Sequence, residues 1–79
     1  MSDLSKAERA ENLLRDELFT NELNVLEQTQ LDIILTSNEY DIDKRENAYR
    51  MIKALQLIRT HFESIAASKQ IERKRWKIL

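Results

Sequence analysis

The sequence predicts an all-α protein: an antiparallel helical hairpin of two long helices that self-associates into a homo-oligomer. Three observations predict it. The 79 residues contain no glycine and no proline, apolar residues recur at helical spacing in both halves, and a cluster of short polar residues separates the halves. Without glycine, phosphate-binding glycine loops and tight β-hairpin turns are excluded. The length allows a single domain over residues 1–79.

The first helix is predicted over residues 5–36, beginning at a capping box of Ser5 and Glu8. Two apolar rows run along it, about 100° apart on a helical wheel. The row predicted to face the second helix includes Leu14, Leu18 and Val25. A helix with two apolar rows needs two neighbours, so the second row is predicted to be the oligomer interface. That second row consists of Phe19, Leu23, Leu26 and Ile33.

A turn over residues 37–41 and a second helix over residues 42–76 complete the predicted hairpin. Asn38 is predicted to end the first helix in the left-handed conformation that glycine usually supplies. One apolar row with a period of 3.5 residues marks the second helix and is predicted to face the first. It consists of Met51, Leu55, Ile58, Phe62 and Ile65. The short joint makes the two helices antiparallel.

Charge divides sharply between the halves. The net charge is −1, yet residues 1–43 carry three bases and eleven acids, and residues 44–79 carry ten bases and three acids. Antiparallel pairing would place the acidic helix beside the basic one, which explains the division without a partner. Alternatively, a charged half binds another molecule, and the strongest candidate is the C-terminal end.

Residues 73–79 form a basic aromatic tail, and residues 69–79 together carry a net charge of +4. One interpretation is a helix end whose bases complement the helix dipole while Trp76 closes the core. The other is a docking segment, in which the bases contact phosphates or an acidic partner and the apolar residues anchor it. The residues predicted to bind nucleic acid or a partner are Lys69, Arg73, Lys74, Arg75, Trp76, Lys77, Ile78 and Leu79.

The sequence predicts neither an enzyme nor a cofactor site. His61 is the only histidine, Ile58 rather than an acid lies three residues before it, and no second histidine lies four residues away. The pattern therefore predicts no metal site. The chain has no cysteine, no run of 18 apolar residues and no secretory signal at its start. We therefore expect a cytoplasmic protein with no membrane partner, in the host cell if the chain is viral.

With these features the chain resembles the short all-helical proteins of tailed-phage head and DNA-packaging gene clusters. The segments that carry the resemblance are residues 10–19, 45–49, 54–59 and 75–79. Within that group it is similar to the oligomerisation core of small terminase subunits, a ring of helical hairpins. The resemblance implies a non-catalytic packaging factor that binds double-stranded DNA and recruits the large terminase subunit.

The chain departs from that family in leaving no room for an N-terminal helix-turn-helix. DNA contact would then fall to the basic second helix or the tail, or the tail would bind the large terminase subunit instead. Two other functions stay open. One is a phage-encoded inhibitor or adaptor of a host enzyme that uses its acidic first helix, and the other is a structural head or scaffold component.

Overall fold

The computed structural model describes residues 5–78, with side chains described for residues 5–68. Within that range the chain forms three α-helices, α1 (Lys6–Arg15), α2 (Glu17–Thr36) and α3 (Ile42–Ile78), and no strand. The structure is elongated, with principal extents of 60 × 27 × 15 Å. The all-α prediction is confirmed. The prediction of two helices is wrong, because the segment predicted as one helix over residues 5–36 is broken.

The break lies at Asp16, which ends α1 and begins α2. Its backbone is extended, with φ −70° and ψ 119°, and its carboxylate accepts the Phe19 N–H at 3.1 Å. Its own N–H donates to the Leu13 carbonyl at 3.1 Å. An aspartate at this position satisfies a backbone donor that the first turn of a helix leaves unpaired. The side chain of Asp16 therefore supports a change of chain direction that the apolar pattern does not reveal.

This change of direction explains why the first half carries two apolar rows. In α1 the buried residues are Ala7 and Ala10, with Leu14 half-buried. In α2 the buried residue is Leu23, from the second row. Both α1 and α2 pack against α3. Each segment thus turns a different row toward the same neighbour, so two rows do not by themselves require two neighbours.

Removing the Asp16 cap should destabilise the fold measurably. We expect Asp16→Ala to lower the free energy of unfolding by about 1 kcal/mol, since the Phe19 N–H loses its acceptor. Asp16→Asn keeps a side-chain oxygen that can accept the same hydrogen bond and should retain most of the stability. Thermal unfolding followed by circular dichroism compares the two variants. Equal stability of the alanine and asparagine variants would show that the cap contributes nothing.

The turn between α2 and α3, residues 37–41, is held by a backbone hydrogen bond from the Asp41 N–H to the Asn38 carbonyl at 3.0 Å and by side chains, not by a left-handed residue. Ser37 is extended, with ψ 153°, and no described residue has a positive φ. The prediction that Asn38 adopts the left-handed conformation is therefore wrong. The Arg45 guanidinium instead donates to the Asn38 carbonyl and to the Glu39 carbonyl, the latter at 3.1 Å. A cation thereby satisfies carbonyl groups that follow the end of α2.

Helices α2 and α3 lie antiparallel along their length. The Phe19 and Phe62 rings meet edge to face, with centroids 5.8 Å apart. Nearer the turn, Arg59 Nη2 donates to Asn24 Oδ1 at 3.0 Å. These two contacts set the register, in which the residue numbers of facing positions sum to about 81–83. Ala48, which is 1% exposed, and Leu55, which is 8% exposed, are the buried positions of α3.

Several predicted interface assignments need correction. Phe19 and Leu23 were predicted to lie on the oligomer interface, but Leu23 is 6% exposed and Phe19 packs against Phe62. Leu18 and Val25 were predicted to face the second helix, but they are 71% and 53% exposed. The cause is again the break at Asp16, because it rotates α2 so that its own row faces α3.

The predicted row of α3 is also displaced. Leu55 is buried and Phe62 and Ile65 are half-buried, whereas Met51 and Ile58 are exposed. The centre of the contact follows Ala48, Ile52, Leu55, Arg59 and Phe62, which keeps the 3.5-residue period. Small Ala48 permits close approach of α2, and Met51 and Ile58 lie at the edge of the contact.

Candidate interaction surface

Most large apolar side chains of the described region face outward. The buried hydrophobic residues of the described region are three alanines and two leucines: Ala7, Ala10, Leu23, Ala48 and Leu55. The large hydrophobic residues that are exposed are Leu18, Val25, Leu26, Leu31, Leu35, Tyr40, Ile42, Tyr49, Met51, Leu57 and Ile58. Single exposed apolar residues are ordinary on a protein surface, but contiguous ones indicate a site of interaction.

Four of them share one side of the α2–α3 pair, which we call the lateral face: Leu26, Ile33, Met51 and Ile58. At 100° per residue, Leu26 and Ile33 lie about 60–80° to one side of the direction in which α2 faces α3. Met51 and Ile58 lie at a similar angle on α3, toward the same side, because the helices are antiparallel. Ile33 is half-buried and the other three are exposed. The sequence had placed these two pairs on different surfaces.

The register groups these four residues into two layers. Facing positions of α2 and α3 have residue numbers that sum to about 81–83. Leu26 with Ile58, and Ile33 with Met51, each sum to 84, so the members of each pair lie close to the same level. The layers are seven residues apart on each helix, about 10 Å. The lateral face thus presents two apolar layers at heptad spacing, which is the spacing at which side chains of packed helices interdigitate.

The opposite side of the helix pair carries a polar cluster beside apolar residues such as Leu31 and Ile52. Arg59 Nη1 lies 2.9 Å from Glu27 Oε1, an oxygen shielded from solvent, while Nη2 donates to Asn24. The Glu27 contact is an ion pair without hydrogen-bond alignment. A shallow groove beside this cluster is lined by Asn24, Glu27, Gln28, Leu31, Ile52 and Gln56. A charged, hydrogen-bonded layer within a helix contact fixes register more than it adds stability, and we assign it that role.

The bases of α3 up to Arg59 are largely engaged within the chain. Arg45 closes the turn, Arg59 holds Glu27, and Arg50 approaches Glu46 at 3.8 Å. The Lys53 ammonium lies 5.5 Å from the centroid of the Tyr49 ring. The half of α3 nearer the turn therefore offers few uncommitted cations to a nucleic acid.

The predicted nucleic-acid or partner site lies outside the described side chains. Those residues are Lys69, Arg73, Lys74, Arg75, Trp76, Lys77, Ile78 and Leu79, and α3 extends to Ile78. His61 is exposed, and its ring meets the Phe62 ring at 5.9 Å. Among the described residues, no group of three or more histidine, cysteine or acidic side chains could hold a metal ion.

Sequence reasoning missed three structurally important residues. Asp16 carries the signal of a helix start, an aspartate before an acidic first turn, but lies inside an unbroken apolar pattern. Arg59 lies in the row of α3 that contacts α2, but an apolar pattern cannot reveal it because its side chain is charged. Its aliphatic part can cover apolar surface while its head reaches Glu27. Arg45 gave no signal, since its partners are backbone carbonyls.

Comparison with protein-family models, with curated proteins and with solved structures finds no match to this chain. Within the described part of the chain, none of the helices combines the length and the apolar character that a membrane span requires.

Proposed function

We propose that this chain is a non-enzymatic helical hairpin that self-associates and acts as a DNA-packaging factor of the small-terminase type. The observation that carries the proposal is the imbalance between exposed and buried apolar residues. Leu26, Met51 and Ile58 are exposed together on one face, while the buried hydrophobic residues of the described region are three alanines and two leucines. A domain of this size buries only about 60% of its unfolded surface and often needs association to be stable.

The second part of the proposal concerns the C-terminal segment. Residues 69–79 carry a net charge of +4 around Trp76, and the remaining bases of α3 are largely occupied by partners within the chain. DNA phosphates or an acidic surface of a large terminase subunit would both match this segment. Copies brought together by self-association would present several such segments to one partner, which raises the effective affinity.

The measurement that tests the first part is the mass of the native particle, by light scattering over a range of concentrations. A ring of about eight or more copies supports the packaging function, since adaptors of the coiled-coil type are mostly dimers to tetramers. A monomer at every concentration contradicts self-association.

The measurement that tests the second part is the salt dependence of binding to double-stranded DNA. The logarithm of the affinity should fall by about 0.9 for each phosphate neutralised, per unit of log salt. Replacing Arg73 and Arg75 with glutamine should reduce that slope by about 1.8. Replacing Arg50 and Lys53 with glutamine removes the same charge from the other part of α3 and should change it little. Binding that does not depend on salt, or no binding to any duplex, contradicts DNA contact.

A second candidate is a protein-interaction module that uses the acidic surface of α2. Glu17, Glu22, Glu27 and Asp32 give α2 a charge of −4 without any base. Glu27 is held by Arg59, so the acids that would contact a basic partner are the other three. If neutralising Glu22 and Asp32 abolishes binding to a basic protein partner while removal of residues 73–79 does not, the protein-interaction function is favoured over the packaging function. If tail removal alters only particle assembly, a head or scaffold component is favoured.

A further inference from the structure

We propose that a groove where α1 meets α2, which we call the junction groove, binds the C-terminal segment of a second copy of the chain. Copies would then join head to tail. This inference rests on the self-association in the proposed function and specifies one contact that produces it. The occupant follows from charge, because the groove is apolar with an acidic rim and residues 69–79 combine apolar residues with an excess of bases.

The break between α1 and α2 creates the junction groove. Leu13 of α1 lines one side, and Leu18, Phe19, Leu23 and Leu26 of α2 line the other. The groove encloses about 390 Å³, which is within the size range of small-molecule sites and can hold a bulky side chain. Leu18 is 71% exposed and Leu26 is 49% exposed. A single copy of the chain therefore leaves much of this apolar lining uncovered.

The rim of the junction groove is acidic. Asp16 at the break and Glu22 of α2 both line it, and Glu22 lies one turn from Leu18 and one turn from Leu26. The Glu22 side chain is exposed and forms no ion pair among residues 5–68. No base is among the described residues that line the groove. An apolar segment that carries bases therefore complements it in both respects.

A neighbouring groove has the opposite charge. On the other side of Leu13, Lys6 and Arg9 line a groove between α1 and α3 that also includes Phe62 and Ile65. Bases at that position would repel a basic segment, which is one way in which a protein excludes a wrong contact. The acidic rim therefore distinguishes the junction groove as the one that selects a basic occupant.

The C-terminal segment has the composition that the junction groove requires. Residues 69–79 carry a net charge of +4 and include Trp76, Ile78 and Leu79. Tryptophan and arginine are the residue types that most often anchor protein interfaces. Two carboxylates in the groove do not cancel a net charge of +4. A docked segment therefore keeps a positive excess for the partner in the proposed function.

The segment cannot reach the junction groove of its own copy. Phe62 of α3 meets Phe19 of α2 at the level of the groove. From that level α2 runs toward the turn, whereas α3 continues in the opposite direction as a helix that ends at Ile78. Position 76 of α3 lies about 21 Å further along the helix axis than Phe62. The groove must therefore receive the segment from another copy.

A contact of this kind joins two different surfaces. Each added copy brings a free groove or a free C-terminal segment, so assembly continues until the copies close into a ring or extend as a filament. A contact that pairs one surface with itself would stop at a dimer. The head-to-tail contact can thus produce a large particle without any further interface.

Fluorescence of Trp76, the only tryptophan of the chain, reports on docking. In the parent its emission should shift to shorter wavelength as the concentration rises, because the indole ring leaves water. Leu18→Gln combined with Glu22→Lys should raise the midpoint concentration of that shift at least about tenfold. The matched control, Leu35→Gln with Asp32→Lys, makes the same kinds of change elsewhere on α2, where Leu35 is 72% exposed. It should change the midpoint less than about twofold.

Mixing two defective variants tests whether the groove and the segment meet. The tail variant, Arg75→Gln with Trp76→Gln, keeps an intact groove, and the groove variant keeps an intact tail. Adding the tail variant to the groove variant should restore the shift of the remaining tryptophan, and sedimentation should find a complex of one copy of each. Adding a chain that carries both sets of changes should leave the emission unchanged. Circular dichroism verifies that every variant stays helical.

The outcomes separate this inference from the proposed function. A parent chain that is monomeric at every concentration overturns both. A parent chain that associates without a shift in emission, or whose groove variant behaves like the matched control, overturns the head-to-tail contact and leaves self-association standing. A shifted emission in particles of monomer mass would mean docking within one copy. That result, or a mixture that does not recover the shift, also overturns the contact between copies.

Discussion

Replacing Leu55 with alanine should lower the free energy of unfolding by about 3 kcal/mol. Leu55 is 8% exposed and lies on the side of α3 that faces α2. Deleting its methyl groups removes buried apolar surface and leaves a cavity that two helices held in register cannot close completely. A chain of this length is stable by about 4–12 kcal/mol in total. The loss should be read from urea unfolding followed by circular dichroism at one fixed, low protein concentration.

Leu57→Ala is the matched control, because it removes the same atoms from the same helix two residues away. Leu57 is 68% exposed, so its truncation should change the free energy of unfolding by no more than about 0.5 kcal/mol. Fixed concentration matters because association adds to apparent stability. Equal losses of stability in the two variants would show that Leu55 is not a core residue, and would contradict the described packing of α2 against α3.

The all-helical character could be predicted because it depends on local signals. The chain lacks glycine and proline, and the row from Met51 to Ile65 repeats every 3.5 residues. Such a row predicts a helix whichever neighbour covers it. The same row did not show which of its members would be most buried. That depends on how closely α2 approaches, and the small side chain of Ala48 determines it.

The break at Asp16 could not be predicted from the apolar pattern. No glycine or proline marks it, and the spacing of apolar residues continues through it. The break is favoured by tertiary packing, because it allows both Ala7 in α1 and Leu23 in α2 to be buried. A straight helix would face α3 with only one of the two rows. Local propensity is a weak signal compared with such burial.

The structure gives a different basis for self-association from the one in the sequence. The sequence indicates it through the second apolar row of the first half, but Phe19 and Leu23 from that row pack within the chain. The expectation rests instead on the lateral face, which combines Leu26 and Ile33 with Met51 and Ile58. Those four residues are brought together only by the register of α2 and α3. A prediction of single helices, taken one at a time, could not assemble them.

Replacing Phe19 with alanine should lower the free energy of unfolding by about 2–3 kcal/mol, and replacing Leu18 with alanine should change it by about 0.5 kcal/mol or less. The Phe19 ring packs edge to face on Phe62, and Leu18 is 71% exposed. These neighbouring residues therefore distinguish the two orientations of α2. The orientation predicted from the sequence, with Leu18 facing α3, requires the opposite order of effects.

A double-mutant cycle with Phe62→Ala makes this test specific to the contact. Phe19 and Phe62 should show a coupling energy of about 0.5–1.5 kcal/mol, since an edge-to-face pair contributes beyond the area it buries. Leu18 and Phe62 should show none beyond error, because Leu18 points away from α3. Coupling of Leu18 but not Phe19 to Phe62 would mean that α2 is rotated from the position described. The lateral face would then lose Leu26 and Ile33, and the argument for self-association through that face would be lost.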